Sequence, residues 1–243
     1  MQFLPVRTRK ILPPKDDLYA ILNASLPRLR EGDIVFITSK VLAIHQGRCI
    51  RIDKKVDKKA LIRREADAFI EDRNAYWDFI LTVKDSTLIP SSGIDESNGN
   101  GYYILWPKRT NVLLKEIRAY LKKKYKLKKL ALVATDSHTV PLRWGVSGIS
   151  TGFYGLEPLQ DMRGRKDVFG RKLQFTKTNV VDPLAAMAVS LMGESSERTP
   201  IVILRGAKDI RFTDKSTWHK IAIPLKKDIY APLLRNLKKN RRR

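Results

Sequence analysis

Cysteine, histidine and acidic residues are all scarce in this sequence. Cys49 is the single cysteine among 243 residues, so an intramolecular disulfide framework and a cysteine-rich zinc site are both excluded. That usage fits a reducing compartment. His45, His138 and His219 lie far apart and none belongs to an HExxH pair, which argues against a histidine-based zinc enzyme. A membrane span needs about 18 uncharged apolar residues in succession. No such run occurs, and residues 1–14 (MQFLPVRTRKILPP) lack the apolar stretch of a signal peptide. A cytoplasmic protein without membrane attachment is expected. Acids number 25 against 48 Lys and Arg, a formal charge of +23, and this excess calls for an anionic partner. No Gly-x-Gly-x-x-Gly follows a strand-like run, which removes a Rossmann dinucleotide site. The stretch from Gly164 to Lys172 (GRKDVFGRK) has one residue too many for a phosphate loop and no Ser or Thr after the lysine. Gly-x-Ser-x-Gly is absent, and Asp136, Ser137 and His138 are adjacent, where side chains rarely point at one another as triad members must.

What is present is a globular composition, 43% hydrophobic and 30% charged. A chain of this length buries roughly 70–75% of its unfolded surface, so it needs no staples. One or two domains are expected. Two short stretches concentrate the charge: residues 122–129 (KKKYKLKK) and 235–243 (RNLKKNRRR) each carry six cations and no acid, and without them the excess falls to +11. The lysine run closes a helical segment, where cations favour the negative end of the helix dipole. The tail has too few apolar residues to pack and is expected to fray. A nucleic acid is the alternative partner for such charge, but no recognition motif with interleaved aromatics supports it.

Residues 16–29 open with two acids and continue with helical spacing through Leu18, Ile21 and Leu22 up to Pro27. The run DIVFIT (33–38) predicts a buried strand. Residues 54–73 read as a charged helix with Leu61, Ala68 and Phe69 on its apolar side, 79–89 as a strand, and 91–102 as a glycine-rich loop. Residues 110–125 form an amphipathic helix, and LALVA (130–134) a strand ending at Thr135 and Asp136. Six of the 13 glycines fall between 145 and 170; an apolar helix over 183–192 stops at Gly193, and 201–204 form a third core strand. Strands and helices mix without a βαβ repeat, which predicts a mixed α/β (α+β) class.

Acids on glycine-bordered turns then stand out. Asp95, Glu96 and Asn98 share one loop, Asp136 and Ser137 follow a strand end, and Asp161, Asp167 and Asp182 lie in or just after the glycine-rich stretch. Carboxylates and hydroxyls of this kind suit Mg2+ or Mn2+. Equally, Asp95 and Asp136 serve as turn caps through Asx hydrogen bonds.

The same residues carry a resemblance to the coenzyme F-420 gamma-glutamyl ligase (CofE) family. The ordered blocks are LPP at 12–14, GDIV through SKV at 32–41, GIDESN at 93–98, TDS at 135–137, Arg143 and Gly145, DMRGRKD at 161–167, GRKL at 170–173, the helix at 182–193 and PIVILRG at 200–206. They span about residues 5–206. The resemblance implies a CofE-like α+β fold of mixed sheets with flanking helices, an intertwined homodimer, and a ligase domain over 1–225 followed by a basic segment, 226–243. It implies a ligase joining L-glutamate to a carboxylate-bearing acceptor through an acyl phosphate. GTP, or ATP in its place, is the implied co-substrate, with Mg2+ or Mn2+ and K+ as a further cation. Metal ligands would be Asp95, Asp136 and Ser137; nucleotide contacts would be Leu12, Pro13, Pro14, Lys15, Ser39, Lys40 and Asn98. Arg143 is the candidate catalytic residue, its guanidinium gripping carboxylate or phosphate, whereas Arg205 could do the same or form a structural ion pair. A related branch that glutamylates folates supplies an alternative acceptor. The sequence departs from the family pattern at two places. Ile44 stands at a lysine position, leaving Lys40 or His45 as the nearby cation, and Thr139 and Val140 stand where Gly-Arg is usual.

Overall fold

The computed structural model describes residues 1–71 and 78–240. In chain order its strands are β1 (Gln2–Val6), β2 (Asp33–Thr38), β3 (Cys49–Arg51), β4 (Ala68–Ile70), β5 (Leu81–Lys84), β6 (Thr87–Pro90), β7 (Tyr102–Ile104), β8 (Leu130–His138), β9 (Ser147–Tyr154), β10 (Leu159–Asp161), β11 (Lys177–Asn179), β12 (Ile201–Arg205) and β13 (Lys238–Lys239). The helices are α1 (Leu18–Ser25), α2 (Ser39–His45), α3 (Lys58–Glu65), α4 (Thr110–Tyr125) and α5 (Val181–Met192).

The three uninterrupted apolar runs become the middle of a five-stranded sheet ordered β1-β12-β2-β8-β9. Only β2 and β8 pair in parallel; the other neighbours are antiparallel. Both faces of this sheet are covered, which is why its strands are apolar throughout rather than alternating. Val35, Ile37, Leu132, Ile201 and Ile203 pack with α1, α2 and α4. Ile34, Phe36, Val133, Val202 and Leu204 pack with α5 on the opposite side. Each such side chain contributes about 1.5–3 kcal/mol by leaving water.

A second, four-stranded sheet, β13-β4-β5-β6, is antiparallel, and β3 pairs with β7 between the two. Leu61, Ile62, Ile80, Ile94, Tyr103 and Leu105 form the core beside it. Buried Glu65 at the end of α3 accepts from Arg48 Nη2 at 2.5 Å. The mixed α/β class therefore holds.

Four expectations change. Residues 54–73 do not form one helix: Asp57 caps α3, the backbone turns extended at Ala66, and Ala68 and Phe69 enter β4, while residues 72 and 73 lie outside the described residues. Pairing with β5 outweighs the helical spacing there. Residues 79–89 form a hairpin, not one strand, because Asp85 and Ser86 (φ 45° and 64°) make a two-residue turn of the kind that suits strand twist. β8 continues past Ala134 to His138 because β9 pairs with it, setting Asp136 opposite Ile149, within the strand instead of beyond it. Residues 238–240 do not fray. Lys238 and Lys239 pair with Phe69 and Ala68, and Asn240 Nδ2 donates to the carbonyls of Arg63 and Ala66 at 3.0 and 3.1 Å; residues 241–243 lie outside the described residues.

Candidate active site

Register creates the site. Thr38 of β2 lies opposite Thr135 of parallel β8, so the next residues, Ser39 and Asp136, leave the same sheet edge side by side. The carboxyl ends of parallel strands are where open sheets with helices commonly hold ligands. Ser39, the first residue of α2, donates its hydroxyl to Asp136 Oδ2 at 2.7 Å, and Asp136 Oδ1 accepts the Ser137 N–H at 2.9 Å. One residue along α2, Lys40 Nζ meets Asp95 Oδ2 at 2.6 Å, the Ser97 carbonyl at 2.9 Å and the Ser97 hydroxyl at 3.0 Å.

Asp95 lies on the loop that runs from β6 towards β7. Its backbone bridges Ile104, and Asp95 Oδ1 accepts the Ser97 N–H at 2.7 Å. Gly93, at φ +64°, lets this loop lie on the indole of Trp106, where a Cβ would sit 2.3 Å from a ring carbon. Asn98 Nδ2 donates to the Ser195 carbonyl at 2.9 Å and so ties the loop to the turn after α5. That turn supplies Glu194, whose carboxylate interacts with Ser137. It begins at Gly193 (φ +76°), where a Cβ would lie 2.3 Å from Glu197 Cδ.

The charges interact. Burial pushes the Asp136 carboxyl up to about 6; the Ser39 and Ser137 hydrogen bonds oppose this, and the neighbouring Asp95 charge adds to it. Burial also pushes Asp95 up, but the Lys40 ammonium, by charge and hydrogen bond, and Ser97 hold it below its ordinary value. Glu194 is raised, first by burial and further by Asp95 and Glu197, against the pull of Ser137 and Lys40. Three acids thus crowd one lysine, an arrangement that added positive charge stabilises. Among the described residues no three His, Cys, Asp or Glu side chains meet at metal-binding distance. The available donors are carboxylate and hydroxyl oxygens, the chemistry of Mg2+ or Mn2+, which completes its shell with water or phosphate oxygen.

The other sequence-predicted residues fall elsewhere. Leu12, Pro13, Pro14 and Lys15 form a turn with a cis Pro13–Pro14 bond. Asp16 pins it, accepting the Leu12 N–H at 2.9 Å and two guanidinium bonds from Arg9 at 2.6 Å each. The turn lies near Gly47, past the far end of α2 from Lys40. His45 is engaged there too, its Nδ1 accepting the Leu18 N–H at 3.2 Å. Ile44 is buried with Ala43, Ile104 and Ile11, so it belongs to the core and does not replace a cation in the cleft. Arg143, with Thr139 and Val140, is exposed on the turn joining β8 to β9, and its Nη1 donates to the Leu142 carbonyl; it is not brought to the acids. Arg205 makes an ion pair with buried Asp33 at the opposite sheet end, Nε to Oδ1 at 3.0 Å and Nη2 to Oδ2 at 2.8 Å. Asp161 pairs with Arg163, Asp167 closes its own turn, and Asp182 accepts from Ser150 and Asn179. Sequence reasoning missed Glu194, whose only local signal is its place one residue after a helix-ending glycine.

A mixed α/β scaffold here gathers acids, hydroxyls and a lysine at the carboxyl ends of parallel strands, the position at which enzymes built on such sheets commonly hold ligands. Comparison makes the class specific: the family model described as F420-0:Gamma-glutamyl ligase matches residues 5–206, and the chain belongs to that family of amide-forming ligases. Similar proteins named coenzyme F420:L-glutamate ligase occur in Methanopyrus kandleri (32% identical over 222 residues, covering 84% of this chain and 86% of that protein) and Methanocaldococcus jannaschii (31% over 193 residues, 74% and 77%). A Methanococcus maripaludis protein of the same name is 39% identical over 131 residues, 54% of this chain and 52% of its own.

Proposed function

We propose that the chain is a gamma-glutamyl ligase that joins L-glutamate to an F-420-0-like, carboxylate-bearing acceptor, with GTP as phosphoryl donor. The observation that carries this reading is the pairing of Ser39 with Asp136 and of Lys40 with Asp95 in one cleft, inside the span that matches the family.

A carboxylate is a poor acyl donor because its oxygen leaves poorly. An acceptor carboxylate oxygen attacks the γ-phosphorus, the P–O bond to GDP breaks, and an acyl phosphate forms. The glutamate amine then attacks the acyl carbon, phosphate leaves, and the nitrogen loses a proton. Such phosphoryl transfer depends mainly on positioning and charge neutralisation. In this reading Asp95, Asp136 and Ser137, with Glu194 adjoining, hold Mg2+ or Mn2+, which when bound neutralises phosphate charge. Ser39 orients Asp136. Lys40 offers its ammonium to phosphate oxygens, and Asn98 and residues 12–15 contact the nucleotide. Arg143 grips a carboxylate from the exposed tip of the β8–β9 turn.

The reading includes a cytoplasmic homodimer with its ligase domain over 1–225 followed by the basic segment 226–243. Leu142, Trp144, Val168, Phe169 and Phe175 are each at least 90% exposed, apolar surface that packing against a second copy would remove from water. Incubation with GTP, Mn2+, L-glutamate and F-420-0 labelled with 18O in its carboxylate tests the chemistry. The expected result is a product heavier by one glutamate residue, with one label transferred to inorganic phosphate. No product, or product formed with unlabelled phosphate, overturns it.

A further inference from the structure

The lysine run does not end in open solvent. The end of α4 and the segment after α1 border an open, shallow cleft lined by Leu26, Arg28, Lys124, Tyr125 and Lys126. Arg28 comes from about a hundred residues away in sequence, so the cluster is built by the fold and is not merely a charged helix terminus. Lys124 Nζ donates to Asn23 and lies 5.3 Å from the centre of the Tyr125 ring. Among the described residues Arg28, Lys124 and Lys126 have no ion-pair partner. The nearby acids are already engaged: Glu31 accepts the N–H groups of Lys128 and Lys129, and Asp214 is bound by Arg118 and Lys122.

Lys126 breaks a local rule. It ends α4 in the left-handed region (φ 56°, ψ 45°), the place glycine fills most cheaply, and Leu127 N bonds back to the Lys122 carbonyl. A lysine there accepts backbone strain and places its cation at the cleft.

The cleft lies at the end of the sheet opposite the acid–lysine site. Lys129 precedes β8 and Asp136 is its seventh residue, so about 20 Å of strand separates them at ~3.3 Å per residue.

We propose that this cleft binds a run of phosphates, the backbone of a single-stranded nucleic acid or inorganic polyphosphate, independently of ligation. The cations supply the sequence-independent charge term, and Tyr125, partly buried with Lys124 over its ring, forms part of the cleft wall. The probe is a short fluorescent oligouridylate, its binding followed by anisotropy from low to physiological salt on the full chain. The variant Arg28→Gln/Lys124→Gln/Lys126→Gly removes three cations, and glycine at 126 suits the local backbone. It is expected to bind at least tenfold more weakly, with a salt slope shallower by about 2, at roughly 0.7 per lost phosphate contact. Its glutamate ligation is expected to be unchanged. The charge-matched control Lys208→Gln/Lys226→Gln/Lys227→Gln is expected to bind like wild type. Competition by polyphosphate with Tyr125→Leu neutral assigns bare phosphates, whereas a loss confined to the oligonucleotide in Tyr125→Leu assigns a nucleic acid. The proposal is overturned by no binding to either probe at low salt, by wild-type affinity in the cleft variant, or by equal weakening in the control, which would assign the affinity to net charge alone.

Discussion

Replacing Arg205 by methionine removes the guanidinium that meets Asp33 through two hydrogen bonds, 3.0 and 2.8 Å long. Asp33 is fully buried at the start of β2 and would keep the hydrogen bond from the Arg30 N–H at 2.8 Å. Stranding one partner of a buried ion pair costs about 3–5 kcal/mol. The Arg205 side chain keeps 20% of its surface exposed, so water reaches the pair and the lower end, about 3 kcal/mol, is expected. For a domain of this size each kcal/mol lowers Tm by about 2–4 °C, so the variant should melt roughly 6–12 °C below wild type. Asp33→Asn in the Arg205→Met background should recover part of that loss, because a neutral amide strands no charge. Thermal melts of the four proteins in this cycle, with glutamate ligation measured per folded molecule, decide the matter. An Arg205→Met protein that melts with wild type and loses ligation would assign Arg205 to the reaction and refute its structural role.

Acid should loosen the residue 12–15 turn through Asp16. Arg9 hydrogen bonding first, then the Leu12 and Asp17 N–H groups, bring its carboxyl from 3.8 to about 2 despite partial burial. A depressed carboxyl stabilises the fold above its ordinary value, and that stability is lost as pH falls from about 4 towards 2. After solvent screening this is about 1 kcal/mol, so wild type should lose that much more stability over the window than Arg9→Ala in urea melts; parallel curves would contradict it. Gly93→Ala forces a Cβ to 2.3 Å from Trp106 at φ +64°. It should lower the urea-derived stability by about 2–5 kcal/mol, and an unchanged midpoint would show that the loop does not rest on the indole. Light scattering should give a dimer for wild type and a monomer for Leu142→Asp/Phe169→Asp; a monomeric wild type would remove the homodimer from the reading.

The sequence disclosed those features whose cause is local. Residues 33–38 and 110–125 match the observed β2 and α4 because a continuous apolar run and a 3.6-residue period each have one economical solution. Asp95 and Asp136 stood out as acids on turns, and the structure does bring both to Lys40 and Ser39. Other features depend on distant partners. Ser39 meets Asp136 only through the parallel register of β2 and β8, 97 residues apart. Glu194 lies in no motif and joins the cleft because the turn after α5 folds towards Ser137. β4 hides in a stretch with helical spacing, and the role of Arg205 was undecidable until Asp33 was seen buried beside it.

We propose that the acids meeting Ser39 and Lys40 form the reaction centre of a gamma-glutamyl ligase. The most direct test is the rate of glutamate addition to F-420-0 by wild type, Asp95→Asn and Asp136→Asn at saturating GTP and Mn2+, with melts to confirm folding. Folded variants that are slowed about 10²–10³-fold, the usual cost of removing one group that stabilises developing charge, are the predicted result. Wild-type rates in both variants would place the chemistry elsewhere and contradict the account.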